Sequence, residues 1–253
     1  MVIEKRFSFC SKAVYSYHSH IKHIINKLFR SYISPSLSTF SRFNFTIDAR
    51  RAIRTLLYRE IPDYIEEEYN HISRILSERE KTIKLRYPKN FEMEKVSTFF
   101  IYAFIRLYKP NNVVETGVAN GVSTFFILSA LKKNKKGKLY SIDINSNVGS
   151  LVTNDLMPYW KLIILYRANR NNIEKVLMQA QPIDIFIHDS NHMYYYQKLE
   201  YYSAFKYIKK GGYIMTDDAD ASYAFVDFCN NHRLTPTFIY DMRKVFGVTK
   251  LKT

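Results

Sequence analysis

The sequence predicts an α/β protein with a doubly wound, mostly parallel sheet that follows a helical N-terminal region. Strand and helix patterns alternate regularly from residue 112 onward, which is typical of such a sheet. Ile183–His188 is an almost continuous apolar run, as expected of a parallel strand that is buried on both faces. We therefore expect a helical region over residues 1–110 and an α/β domain over residues 111–253.

The N-terminal region shows apolar residues at helical spacing and no convincing strand pattern. Ser34-Pro35-Ser36 ends the first helix, Pro62 suits the first turn of the third, and Lys109-Pro110 follows the fourth. The four predicted helices cover about 21–29, 48–58, 62–80 and 93–108.

Seven strands are predicted in the α/β domain, and the last two form an antiparallel pair that closes the sheet. We expect Gly211-Gly212 to end the helix that begins at Tyr194. The predicted strands cover 113–115, 138–143, 160–166, 183–188, 213–216, 237–240 and 245–250, and the helices between them cover 123–133, 173–179, 194–208 and 221–232.

Composition narrows the class of protein. Of 253 residues, 47% are hydrophobic, which excludes wholesale disorder. No apolar run reaches the roughly 18–20 residues that a spanning helix needs. The first twenty residues have no apolar signal-peptide core, and two cysteines are too few for a disulfide framework. These features predict a cytoplasmic protein.

Charge is unevenly distributed. Lys+Arg number 38 against 23 Asp+Glu, which gives a net charge of +15, and residues 1–60 hold eleven of these bases but three acids. A basic surface of this kind attracts nucleic acid, anionic lipid or an acidic substrate, or is simply a solvated face. No helix-turn-helix, zinc-finger or RNA-binding aromatic motif accompanies the charge, so nucleic acid is disfavoured as a partner.

The first strand-to-helix turn, residues 115–124, contains Gly117 and Gly121, which allow a sharp turn and close approach to a ligand. Asp143 follows at the end of the second strand, where a carboxylate accepts hydrogen bonds from ribose hydroxyls. The turn lacks the third glycine of the dinucleotide fingerprint. The combination therefore predicts nucleoside binding without a pyrophosphate.

Carboxylates follow two strands that are neighbours in the predicted sheet. Asp189 follows one, and Asp217 and Asp218 follow the other, so all three are expected at the same edge. Such acids repel one another unless a cation or protons compensate, and their oxygens suit magnesium, calcium or manganese. The alternative is that one or two of them cap the following helices.

Two histidines flank this strand end. His188 lies within the apolar strand and is expected to be packed or hydrogen-bonded, while His192 lies on the loop over the site. Because neutral imidazole accepts protons well near pH 7, His192 is the first choice for a general base, with Asp189 as the competitor. A zinc site on the two histidines is disfavoured, since they are not on a helix.

The segment from Glu115 to about Lys250 resembles the class I S-adenosylmethionine-dependent methyltransferases, which have a Rossmann-like fold. Its Glu-Thr-Gly-x-x-x-Gly-x-Ser-Thr form resembles the branch with macrocin and other sugar O-methyltransferases and the cephalosporin-hydroxylase-like proteins. The resemblance implies that Asp143 holds the ribose and that the segment containing Asn169 contacts adenine. It implies that the methionine part of the cofactor is lined by Glu115, Gly117, Gly121, Ser123 and Thr124.

The resemblance further implies a metal, most simply magnesium, between Asp189, Asp217 and Asp218, and an acid at Glu200 that holds the loop. The expected reaction is metal-assisted O-methylation of a sugar, glycan or other small hydroxylated metabolite. The basic N-terminal region favours an anionic acceptor, and homo-oligomer or peripheral membrane contacts fit it too. Alternatives are a hydroxylase-like metal protein, a non-catalytic cofactor-binding protein and a nucleic-acid methyltransferase.

Overall fold

The computed structural model describes residues 34–166 and 169–252. The helix predicted over 21–29 lies outside them. The helices are α1 (Leu37–Phe40), α2 (Ala49–Leu57), α3 (Asp63–Thr82), α4 (Lys95–Tyr108), α5 (Val122–Asn134), α6 (Arg170–Ala180), α7 (Tyr194–Ala204) and α8 (Ala224–Asn231). The strands are β1 (Asn44–Thr46), β2 (Asn112–Thr116), β3 (Lys138–Asp143), β4 (Trp160–Ile164), β5 (Ile183–His188), β6 (Ile208–Thr216), β7 (Thr237–Asp241) and β8 (Lys244–Lys250).

All described strands join one sheet in the order β1-β7-β8-β6-β5-β2-β3-β4. Only β8 runs antiparallel to its neighbours, so the predicted doubly wound sheet with an antiparallel last strand is confirmed. The sheet has an eighth strand, β1, from the region predicted to be helical. It pairs parallel with β7, and the Phe40 ring lies 4.6 Å from that of Phe238 on β7.

Helices cover both faces of the sheet. Helices α2 to α5 pack on one face and α6 to α8 on the other, each with its own apolar core. Successive residues of a strand point to opposite faces, so Val113 belongs to the first core and Val114 to the second. The carboxyl ends of the central strands are therefore left as the edge at which a ligand can bind.

Gly211-Gly212 does not end a helix, contrary to the prediction. Helix α7 stops at Ala204, and the glycines lie inside β6. The pairing of β5 with β6 shifts between Ile183↔Ile208 and Ile185↔Tyr213, so the chain bulges there. Gly211 has a φ of +72°, a conformation that favours glycine, which explains its place in the bulge.

The turn between β7 and β8 contacts the N-terminal half of the chain. Asp241 Oδ2 accepts hydrogen bonds from Ser97 N at 2.6 Å and Ser97 Oγ at 3.0 Å, in the first turn of α4. A carboxylate in this place accepts a hydrogen bond from an amide that has no partner within the helix. Its negative charge also interacts favourably with the partial positive charge at the helix N-terminus. Within the described residues, no helix is long and apolar enough to cross a membrane.

Candidate active site

A cavity of about 910 Å³ opens at the carboxyl ends of β2, β3, β5 and β6. It lies where a doubly wound sheet binds its ligands, and its volume is within the range of small-molecule sites. Its wall includes Tyr87, Asn90, Phe91, Thr116–Ala119, Ile142–Asn145, Tyr166, Ile173, Asp189–His192, Tyr196, Glu200, Asp218, Ala221, Arg243 and Lys244.

The turn after β2 depends on its first glycine. Gly117 has a φ of +83°, and a Cβ atom there would lie 1.9 Å from the backbone oxygen of Asp189. The ends of β2 and β5 therefore approach more closely than any other residue would allow. Gly121, with a φ of +93°, precedes the first residue of α5 but is not on the cavity wall.

Asp143 lies at the end of β3 and faces the cavity, as a ribose-binding residue should. Its Oδ2 accepts a hydrogen bond from Val118 N and its Oδ1 one from Asn145 N, both at 2.9 Å. Each carboxylate oxygen has a further lone pair. The side chain is thus fixed in orientation and retains the capacity to accept two hydroxyl hydrogen bonds.

Glu115 is fully buried behind the cavity wall. Its Oε1 accepts hydrogen bonds from Thr124 Oγ1 and Ser141 Oγ, both at 2.6 Å, and its Oε2 has no partner among the described residues. Burial raises the pKa of this carboxyl to about 7. Glu115, Ser123 and Thr124 therefore support the turn from behind, and Thr116 and Gly117 face the cavity instead.

Asn169 stands at the start of α6, where its Oδ1 accepts a hydrogen bond from Asn172 N at 3.0 Å. This is a helix cap, and Asn169 is not on the cavity wall. Arg167 and Ala168, which belong to the same predicted adenine segment, lie outside the described residues.

A buried pair, His188 and Glu200, supports the loop after β5. His188 Nδ1 and Glu200 Oε2 are 2.6 Å apart, and Ser190 Oγ donates to Glu200 Oε1 at 2.8 Å. Burial alone would raise the pKa of Glu200, but its contacts with His188, Thr116 and Ser190 outweigh burial and lower it. Glu200 thus holds the loop, and His188 is packed in the strand.

His192 and Asp189 both line the cavity beside the turn after β2. His192 Nε2 lies 3.2 Å from Asp218 Oδ2. Burial, and then the proximity of His188, lowers the pKa of His192 to about 4. The imidazole is therefore uncharged at neutral pH. Burial and the neighbouring Asp217 raise the pKa of Asp189.

The acidic cluster consists of Asp189, Asp217 and Asp218, and the structure places a lysine within it. Lys244 Nζ donates hydrogen bonds to Asp217 Oδ2 and Asp218 Oδ2, both at 2.9 Å. Burial raises the pKa of Asp217 to about 6, although the lysine opposes this rise. In the described part of the chain, no group of three or more acidic, histidine or cysteine side chains has the arrangement to hold a metal. Because the Lys244 ammonium already lies between the carboxylates of Asp217 and Asp218, the residues present do not fit the expected divalent ion.

The sequence analysis assigned no role to Asn120, although this residue lies in the turn after β2. Its Oδ1 accepts hydrogen bonds from Arg86 N at 3.1 Å and Tyr87 N at 3.0 Å, and its Nδ2 donates to Tyr87 O at 2.9 Å and Glu92 Oε1 at 3.2 Å. Asn120 thus fixes the segment that brings Tyr87, Asn90 and Phe91 to the cavity. These partners are mostly backbone groups of an irregular loop, so no sequence pattern identifies them.

Comparisons with known proteins agree with this geometry. A family model described as a methyltransferase domain matches residues 114–219, which hold the turn after β2, Asp143 and the acidic cluster. No curated protein sequence matches the chain.

Solved structures share the fold at low identity. An O-methyltransferase from Bacillus cereus in complex with S-adenosylhomocysteine is 12% identical, with a TM-score of 0.56 over 81% of this chain and 98% of that chain. The O-methyltransferase TomG from Streptomyces achromogenes, involved in tomaymycin synthesis and bound to S-adenosylmethionine, is 15% identical, with a TM-score of 0.53 over 85% and 99%. MycE methyltransferase of mycinamycin biosynthesis, in complex with Mg, S-adenosylhomocysteine and mycinamycin VI, is 14% identical, with a TM-score of 0.51 over 72% and 54%.

The chain therefore has the methyltransferase fold. Within that fold, residues 114–219 match the methyltransferase domain itself, and the helices before residue 110 and the strands β7 and β8 extend beyond the matched segment.

Proposed function

We propose that the protein is an S-adenosylmethionine-dependent O-methyltransferase that acts on a hydroxyl of a sugar, glycan or other small metabolite. One observation carries the proposal. The fixed carboxylate of Asp143, the turn at Gly117 and the uncharged imidazole of His192 face one cavity. A group that can bind the ribose of the cofactor and a group that can accept a proton from the methyl acceptor therefore lie in the same cavity.

The chain's contribution is to bind and orient the reactants and to accept a proton. Asp143 accepts the ribose hydroxyls, and the backbone at Gly117 allows close approach. S-adenosylmethionine, when bound, supplies a methyl group already activated by the sulfonium charge. His192 or Asp189 would accept the proton of the acceptor hydroxyl that receives this methyl group. Holding the reactants in line supplies much of the rate.

The aromatic lining of the cavity favours a hydroxylated ring. Tyr87, Phe91, Tyr166 and Tyr196 present aromatic rings along the wall, and such rings pack against the apolar faces of sugars and phenols. Arg243 adds a positive charge, although Glu94 pairs with it, since Arg243 Nε lies 2.6 Å from Glu94 Oε1. The aromatic rings therefore carry the preference for a sugar or phenol ring.

Calorimetric titration with S-adenosylhomocysteine and S-adenosylmethionine tests the proposal. The wild-type chain is expected to bind both, and Asp143→Ala to bind neither while its circular dichroism shows that it is still folded. Asp155→Ala is the matched control, because Asp155 is an exposed acid paired with Lys132, outside the cavity. A wild-type chain that binds neither ligand, or equal binding by Asp143→Ala, would refute the proposal.

A further inference from the structure

Lys244 occupies a central position in the acidic cluster. Its ammonium is equidistant, at 2.9 Å, from one oxygen of Asp217 and one of Asp218, and its side chain is 8% exposed. His192 Nε2 approaches the same oxygen of Asp218 from another side, at 3.2 Å. The oxygens that a bound cation would coordinate therefore already contact the Lys244 ammonium and the His192 imidazole.

Backbone hydrogen bonds fix the place of this lysine. Lys244 is the first residue of β8, and the next residue, Val245, donates from its N to Asp220 Oδ1 at 3.0 Å and accepts at its O from Ala219 N at 2.7 Å. These two bonds tie the start of β8 to the loop that carries the acids. The backbone that carries Lys244 is thus fixed beside the acids, and the buried side chain places its ammonium between Asp217 and Asp218.

Charge explains why a cation is needed there. Buried carboxylates that face one another repel unless a positive charge lies between them or one of them binds a proton. A hard divalent ion would need oxygen ligands at about 2.0–2.6 Å and would meet a second positive charge at the ammonium. The buried ammonium already bonds Asp217 Oδ2 and Asp218 Oδ2, so an ion that bridged these two oxygens would have to displace it.

We propose that the Lys244 ammonium is the resident cation of this cluster, in the place where a divalent ion was expected, and that the site works without a metal. Lys244 also lines the cavity beside His192 and Asp189. Its charge thus faces the position where an acceptor hydroxyl would lose its proton. The role of Lys244 depends on the contacts within the acidic cluster and not on the reaction that the cavity supports.

Binding of Mn²⁺, measured by the loss of the free-ion signal in electron paramagnetic resonance, tests the proposal directly. The wild-type full-length chain is expected to bind no Mn²⁺ at millimolar concentration at this cluster, with or without S-adenosylhomocysteine. Lys244→Ala and the closer mimic Lys244→Gln remove the ammonium and are expected to gain one Mn²⁺ per chain. Adding Asp218→Asn to Lys244→Ala should abolish the gain.

Lys209→Ala is the matched control, because Lys209 also pairs with a buried acid, Asp184, but lies at the opposite end of β6. It should gain no Mn²⁺. Circular dichroism shows which variants are folded. Mn²⁺ binding is then judged from the folded variant, Lys244→Ala or Lys244→Gln. One Mn²⁺ bound by the wild type and lost in Asp218→Asn would overturn the proposal, as would a folded Lys244→Gln that gains none.

The same samples separate this inference from the proposed function. If S-adenosylhomocysteine fails to bind but the lysine variants gain Mn²⁺ as expected, the methyltransferase assignment fails and the role of Lys244 stands. If the cofactor binds and chelation with EDTA lowers its affinity in the wild type, the role of Lys244 fails and the assignment stands.

Discussion

Replacing Asn120 with alanine should release the segment that forms one wall of the cavity. The side chain is 1% exposed and makes four hydrogen bonds to residues 86–92. At a net value of about 0.5–1.5 kcal/mol each, the four contribute about 2–6 kcal/mol together. We expect the free energy of unfolding to fall by about 3 kcal/mol, toward the lower half of that range because water reaches the freed backbone groups.

Urea denaturation measures the global loss, and native-state hydrogen exchange locates it. The amides of Arg86 and Tyr87 donate to Asn120 Oδ1, so they should exchange about 30-fold faster or more, which corresponds to about 2 kcal/mol. Asn112→Ala is the control, since its side chain makes one exposed hydrogen bond, to Pro182 O. Unchanged protection of Arg86 and Tyr87 in Asn120→Ala would refute the reasoning.

Two further predictions concern the turn after β2. Gly117→Ala should abolish binding of S-adenosylhomocysteine and lower the free energy of unfolding by about 3 kcal/mol or more, because its Cβ would lie 1.9 Å from Asp189 O. Calorimetry measures the binding and urea denaturation the stability, and wild-type values in both would contradict the prediction. Burial raises the pKa of Glu115 from 4.5 to about 7, so the folded state keeps a proton that the unfolded chain releases, and stability should fall as pH rises from about 4.5 to about 7. Glu115→Gln should remove this part of the pH dependence in urea denaturation, and an identical pH profile would show that the carboxyl holds no such proton.

Much of the sheet could be predicted from the sequence because its central strands are apolar on both faces. The bounds of β3 and β5 agree with the prediction, and the meeting of Asp189 with Asp217 and Asp218 follows from parallel strands that end at one edge. Strand β1 was not predicted because three residues carry too little pattern, and its partner β7 lies 193 residues further along the chain.

The site was predicted less completely, for a similar reason. Lys244 lies 26 residues beyond Asp218 and reaches it only through the antiparallel register of β8, which no local pattern indicates. Asp143, Asp189 and His192 were expected at the cavity and line it, whereas Glu115 and Asn169 serve as a buried support and a helix cap. Whether the lining residues act as predicted stays a prediction.

The tight hairpin between β7 and β8 limits how this chain can change in length. Asp241 pairs with Lys244 in the register, so two residues form the turn between the helix cap and the resident cation. Because side chains alternate between the two faces of a strand, one residue inserted between Lys244 and Val245 would turn the ammonium away from the acids while the cap stayed in place. Length variation should therefore be tolerated elsewhere in the chain before it is tolerated here.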